Sequence, residues 1–354
     1  MKINKTTPVY TNFKGHEAKK LQAILVSDHD KFGCDAIIKQ LSAIANQYKV
    51  EVKKTDVGAP WTQDGITFMP NGKVISSQGG AHLGNKYGYE YFEPKRHLAG
   101  GNCIFATNKK GETVILKANK GENEEVLKEL TKDYGLRIVQ LPTVDFHADL
   151  FVTPIGDGKV FVADDELTLK KMEEMLDITE NYIKNNPNDE DIFEIETMLD
   201  KLETLYYNFK RNTSDLGSNN LAKETQKVLQ DEGFEVIKVP SRIYSKNPSY
   251  NTFSTKIVHW MNYSNAITFK DENNETIFLT GKTSFDEVLG LNKENIRNKL
   301  GFSFEDMFKE SISQHIKPEN VHFIEGDKNY PLYAILHDYH GGLHCLCAEV
   351  PALN

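Results

Sequence analysis

A helix followed directly by a strand recurs along this chain, near residues 34–54, 124–141, 219–239 and 304–324, with pairs of strands between these units. Each unit passes from a helical to a strand-like apolar pattern within a few residues, which predicts an α/β architecture. Strands are predicted at 22–26, 50–54, 66–69, 73–76, 103–107, 113–117, 136–141, 150–155 and 159–163, and again at 234–239, 265–269, 276–279, 321–324 and 343–350. Pro70-Asn71-Gly72 and Gly156-Asp157-Gly158 supply turn residues for two hairpins. Helices are predicted at 34–48, 124–134, 219–232, 292–300 and 304–313. After Asp164 the composition shifts to Glu, Asp, Lys, Leu and Met, and residues 165–211 predict two helices broken near Asn185-Asn186-Pro187. No linker rich in Pro, Gly or Ser divides the chain. One α/β domain over 1–354 with a helical insertion at 165–215 is therefore expected; two lobes meeting in that insertion also fit.

The 354 residues can bury a sizeable core without disulfide or metal staples. A 26% charged, 39% hydrophobic chain is not a disordered one. The net charge of −9, with no block of Lys or Arg, argues against nucleic-acid binding through a basic face. Cys34, Cys103, Cys345 and Cys347 are too few and scattered for a secreted disulfide scaffold, and Cys345-Leu346-Cys347 lacks the C-x-x-C spacing of redox or zinc motifs. No apolar run reaches the roughly 18 residues of a membrane span, and the first twenty residues hold no apolar signal core. A cytoplasmic protein without metal or cofactor is expected, although export without a signal peptide also fits; the oligomeric state leaves no trace.

Four clusters carry residues capable of chemistry. Trp61-Thr62-Gln63-Asp64-Gly65 precedes a hairpin, and Asp64 there is either a turn former or a functional carboxylate. In His147-Ala148-Asp149, an extended backbone would put both side chains on one face, as a surface ion pair or as a working pair at the edge of a buried strand. Gly341-Gly342-Leu343-His344-Cys345 opens space beside a thiol, which is either a small core residue or a nucleophile. His344, next to Cys345 in a predicted strand, should point to the opposite side and make a poor base. Gly100-Gly101-Asn102 is a glycine turn entering a strand.

Together these clusters resemble the guanidino-group-modifying enzymes of the pentein superfamily, which include protein-arginine deiminases, agmatine deiminases, arginine deiminases and amidinotransferases. Trp61-Thr62-Gln63-Asp64 is similar to the W-x-Q-D of protein-arginine deiminases. Gly342-Leu343-His344-Cys345 is similar to the G-x-H-C that those enzymes share with agmatine deiminases, and Asn262-Tyr263-Ser264-Asn265 to a segment both carry. The resemblance spans about residues 55–350 and implies an α/β propeller of five ββαβ modules around a polar channel. It implies Cys345 as nucleophile, His147 as general acid and base, and Asp64 and Asp149 as the carboxylates that grip a guanidinium.

Such residues suit such a reaction. A guanidinium is planar and permanently cationic, so two carboxylates can orient it through paired hydrogen bonds. Its carbon is a poor electrophile and needs a thiolate. Attack by Cys345 would give a thiouronium intermediate, with His147 protonating the departing ammonia and then activating water. The resemblance implies conversion of peptidyl-arginine to peptidyl-citrulline. Deimination of agmatine or free arginine, amidino transfer to an amine, or binding of arginine-containing ligands without turnover are the other readings. Gly101, Asn102, Arg96 and Trp61 are candidate substrate contacts; Arg96 could meet a carboxylate or lie exposed, and Trp61 could wall the substrate or belong to the core. Two departures stand out. The calcium-binding acidic positions of vertebrate-type protein-arginine deiminases align with Thr67 and Ile104, so that calcium dependence is not expected. The R-D of agmatine deiminases is Gln63-Asp64 here.

Overall fold

A computed structural model describes residues 15–28, 34–57, 61–70, 72–76, 81–92, 100–118, 127–129, 131–132, 136–247 and 257–353. Arg96, the Asn71 turn position and most of the helix predicted at 124–134 lie outside the described residues.

The described strands form five three-stranded sheets and one two-stranded sheet, none of them closed. All five larger sheets repeat one pattern. A central strand pairs antiparallel with one neighbour and parallel with the other. Lys73–Ser76 pairs antiparallel with Ile66–Phe68 and parallel with Glu90–Phe92. The same holds for Thr113–Ala118, Lys159–Ala163 and Thr276–Gly281. In the fifth sheet, Leu21–Ser27 pairs parallel with Glu51–Thr55 and antiparallel with Cys347–Pro351, from the other end of the chain. Parallel neighbours need a crossover, and the helix-then-strand units read from the sequence supply it in four of the five sheets. Cys34–Ala45 crosses between the first two strands, for example, and buries Ile37 and Leu41 on one face.

The antiparallel partners are short and buried on both faces: Ile66–Phe68, Val152–Gly156, Ala266–Lys270 and Cys347–Pro351 have no exposed residue. Together with Ile104–Thr107 they surround a single cavity. Near-continuous Val, Ile, Phe and Thr make such strands readable without a strict alternation.

The predicted break near Pro187 separates helices Asp165–Asn185 and Ile192–Leu216. A third helix, Ser218–Asp231, completes the crossover to Glu235–Val239. Asp164 caps the first helix, its carboxylate accepting from the Leu167 N–H at 2.8 Å. Among the described residues, no helix is long and apolar enough to cross a membrane.

Several elements were not expected, among them the helices Ala81–Lys86 and Phe285–Val288 and the strand Glu90–Phe92. Arg242–Lys246 and Ile257–Asn262 form the two-stranded sheet, and Leu332–Tyr339 is a helix. The strands escaped notice because polar Arg242 and His259 occupy fully buried positions that an apolar pattern would fill. The strand predicted at 343–350 is also corrected. Leu343–Leu346 is one helical turn, and the strand begins at Cys347.

Candidate active site

Two turns face each other at the floor of the site. Trp61 is extended, and Thr62–Gly65 then makes one helical turn that presents Asp64. Asp64 Oδ1 accepts the Gly100 N–H at 2.9 Å, which ties this turn to Gly100–Asn102. Gly101 is a close-approach position: a Cβ there would lie 2.6 Å from His147 Nδ1 and 2.9 Å from Asp149 Oδ1. Gly101, His147 and Asp149 thus share one small space, and only glycine leaves it open. Asn102 is spent on the scaffold, with Oδ1 accepting the Ala118 N–H at 2.6 Å.

His147 is extended, but Ala148–Leu150 is a 3-10 turn, which corrects the wholly extended H-x-D segment expected from the sequence. Both side chains are nonetheless buried, His147 at 8% exposure and Asp149 at 2%, which excludes the surface ion pair. The His147 ring lies 4.2 Å from that of Phe146, centroid to centroid.

Asp149 is the hub of the cluster. Its Oδ2 accepts from Asn265 Nδ2 at 2.9 Å and from the Cys345 thiol at 3.4 Å, and it pairs with His344 Nδ1 at 2.8 Å. Its Oδ1 is buried and has no hydrogen-bond partner among the described residues. One oxygen is saturated by the protein; the other awaits a donor.

The helical turn Leu343–Leu346 explains how His344 and Cys345 both reach Asp149. Successive residues on a helix stand about 100° apart rather than opposed, so neighbours can face one group. His344 is therefore part of the site, contrary to the strand-based expectation. Asn265 anchors this turn, its Oδ1 accepting the His344 N–H at 2.9 Å and its Nδ2 lying 3.3 Å from Cys345 Sγ. Gly341 is pressed against Trp61, where a Cβ would come within 2.6 Å of the indole. Trp61 itself is partly buried and packs on the cluster that holds Leu343 and Leu346.

Charge follows from this packing. Burial raises the Cys345 pKa well above its ordinary value, and the Asp149 and Asp64 carboxylates raise it further. The resting sulfur is a thiol. For His344 burial lowers the pKa, but Glu349 and Asp149 outweigh it and carry the value up to about 10. His344 Nε2 lies 3.2 Å from Glu349, and Gln63 Nε2 lies 3.1 Å from the same ring. His344 is thus a fixed imidazolium between two carboxylates.

The structure therefore gathers Cys345, Asp149, His147, Gly101 and Asp64, with Trp61 behind the turn and Asn102 in the scaffold. Sequence reading set His344 aside as pointing away from the site and singled out neither Asn265 nor Gln63. The Asn262-Tyr263-Ser264-Asn265 segment was the signal for Asn265; nothing local announced the helical turn at Leu343–Leu346.

No family model matches the chain, and no curated protein matches it in sequence. Solved structures do resemble it. An agmatine deiminase from C. jejuni aligns over 95% of each chain with 16% identity and a TM-score of 0.48. A cysteine-to-serine variant of C. jejuni agmatine deiminase with substrate bound aligns over 96% of this chain and 97% of its own, with 14% identity and a TM-score of 0.51. The second likeness is one of fold: this chain and that protein share a mixed α/β arrangement over nearly the whole of both chains.

Proposed function

Starting from a pentein fold, we propose that this protein is a guanidine deiminase, a hydrolase of carbon–nitrogen bonds, acting on a small guanidino compound. The observation that carries the reading is the convergence of a buried thiol, two carboxylates and an imidazole on one space, with Asp149 Oδ1 left for a donor. A guanidinium offers five N–H donors and a fixed positive charge, which matches that vacancy in both respects.

In this reading Asp64 and Asp149 hold the guanidinium and aim its carbon at Cys345 Sγ. Burial, then the two carboxylates, keep the thiol protonated at rest; the bound cation offsets the carboxylates, so deprotonation is coupled to binding. Cys345 passes its proton to His147 as sulfur attacks the carbon, and the C–N bond breaks as His147 passes that proton on to the departing nitrogen. His147 then takes a proton from water, whose oxygen displaces sulfur. The sum is guanidinium plus water giving a ureido group plus ammonium. His344, held cationic by Glu349 and Asp149, fixes the Asp149 carboxylate instead of shuttling protons.

Support for a small substrate comes from the fold neighbour, which is an agmatine deiminase with substrate bound. Peptidyl-arginine is the second reading, and Trp61-Thr62-Gln63-Asp64 favours it. Gln63, however, is engaged with the His344 ring. The five sheets of one pattern around one cavity support a five-module ββαβ propeller, with 1–354 as one domain and 165–215 inserted in the crossover before Glu235–Val239.

The test is ammonia and ureido formation from agmatine, free arginine and peptidyl-arginine, each compared with Cys345→Ala. Agmatine turned over fastest and lost in the variant is the expected result. Equal signal in both proteins would end the deiminase reading. Product that requires an added amine would move the assignment to amidino transfer.

A further inference from the structure

The room that Gly342 opens before Cys345 is already taken. A Cβ there would lie 2.7 Å from Asn265 Oδ1 and 3.2 Å from Asn265 Cγ, so the glycine admits the carboxamide of a residue that is itself only 1% exposed. Asn265 is delivered to this place by its own turn. Asn262 Oδ1 accepts the Ser264 and Asn265 N–H groups at 3.0 and 3.2 Å, and Asn262 Nδ2 donates to the Leu150 carbonyl at 3.0 Å, next to Asp149. Thr153 donates to the Ser264 carbonyl at 2.6 Å and closes the turn against the neighbouring strand.

The partners of the carboxamide fix which way round it sits. Oδ1 accepts the His344 backbone N–H at 2.9 Å, a donor that only an oxygen can meet. Nδ2 therefore faces Asp149 Oδ2 at 2.9 Å and Cys345 Sγ at 3.3 Å. An amide nitrogen carries two hydrogens, and here it has two acceptors. One of those hydrogens is spent on the sulfur.

That bond gains strength when the thiol ionises. At rest the Cys345 S–H points to Asp149 Oδ2 at 3.4 Å. Once the proton has left, sulfur is an anion beside Asp149 and Asp64, and both carboxylates oppose it. The His344 imidazolium is committed to Asp149 and Glu349. Asn265 and a backbone hydrogen bond from Gly342 favour the anion, and a donor binds anionic sulfur more strongly than it binds a thiol. We propose that Asn265 is a catalytic residue: its Nδ2–H is the donor that holds the Cys345 thiolate after the proton has gone. The inference rests on the deiminase reading only for the use made of that thiolate.

Two variants separate this donor from a mere anchor of the turn. Asn265→Leu removes both roles. Asn265→Asp keeps an oxygen for the His344 N–H, and its other oxygen, at the 2.9 Å spacing from Asp149, shares one proton with that carboxylate. The pair then keeps a single negative charge, and only the sulfur loses its donor. The readout is the rate of Cys345 carbamidomethylation by iodoacetamide as a function of pH, resolved from Cys34, Cys103 and Cys347 by peptide mass spectrometry. Loss of one charge-assisted hydrogen bond raises the thiol by about one to two pH units, and the more basic sulfur recovers about half of that in nucleophilicity. Both variants should therefore react about three- to tenfold more slowly than the parent at each pH below the thiol's pKa. A parent-like rate in either folded variant would overturn the role, and in Asn265→Asp it would leave Asn265 as an anchor alone. Should one variant fail to fold, the other decides. Alkylation needs no substrate: slower alkylation in a protein that hydrolyses no guanidine would sink the deiminase reading and leave Asn265 standing, while guanidine hydrolysis with parent-like alkylation of Asn265→Asp would do the reverse.

Discussion

Asp149 gives one oxygen to Asn265, His344 and Cys345 and leaves the other without a partner among the described residues, and the consequences can be measured at single residues. Cys345→Ser keeps a hydroxyl near Oδ2 but supplies a far weaker nucleophile, so turnover should fall by about a thousandfold or more with the fold unchanged by circular dichroism. Gly101→Ala should cost about a hundredfold in turnover, because its methyl would fill the space between His147 and Asp149. A Gly101→Ala protein as active as the parent would show that this space is not where ligand sits. His344 gives a pH signature. It is charged in the folded chain up to about pH 10 and in the unfolded chain only up to about 6.5. The folded state therefore carries the extra proton between those values, and stability falls as pH rises through them. The contribution is whole below about 6.5 and gone above about 10. Urea midpoints across that window should converge for the parent and His344→Gln at the alkaline end. Parallel curves would mean that His344 is not held charged.

Among the elements, the loop that carries His147 is tied to the helical insertion by a buried cation. Arg242 is fully buried; its Nε and Nη2 donate to Asp165 at 2.9 and 3.1 Å, its Nη1 donates to Asp145, and its guanidinium stacks 4.5 Å from the centre of the Phe151 ring. Tyr244 and Ser218 bond the same Asp165, and His259 Nε2 lies 2.8 Å from Asp145. Arg242→Met would strand Asp145 and Asp165 without their cation, and should cost about 3–5 kcal/mol in a urea titration. A loss near zero would show that the two carboxylates find other partners. These elements also mark where sequence reading stopped. The paired strands and most crossover helices were readable because apolar spacing announces them, and Asp164 opens the insertion while Pro187 marks the break between its first two helices. Arg242, Asp145, Asp165 and His259 were invisible because buried ion networks depend on contacts across 77 to 114 residues. The His344 turn was missed for a related reason: its backbone is set by Asn265 and Trp61, both distant in sequence.

For the molecule as a whole, the last strand completes the first sheet. Cys347–Pro351 runs antiparallel to Leu21–Ser27, with Val26 opposite Cys347 and Ile24 opposite Glu349. Tyr89 adds a hydrogen bond from its hydroxyl to the Pro351 carbonyl at 2.8 Å. The thiol-bearing turn is therefore held by a strand that the opposite end of the chain must receive, and contacts of this sequence separation form late. A chain ending at Leu346 keeps Cys345, His147, Asp149 and Asp64, though not Glu349, and should lose its cooperative melt, because Leu21–Ser27 becomes an unprotected edge. A truncated protein with an unchanged melting profile would show that the five sheets hold together without closure through the chain ends.

The protonated state of Cys345 has a bearing beyond turnover. Peroxide and electrophiles attack the anion of sulfur and spare its acid form. A cysteine kept in the acid form by burial and by two flanking carboxylates should be slow toward oxidants until a bound cation offsets those carboxylates.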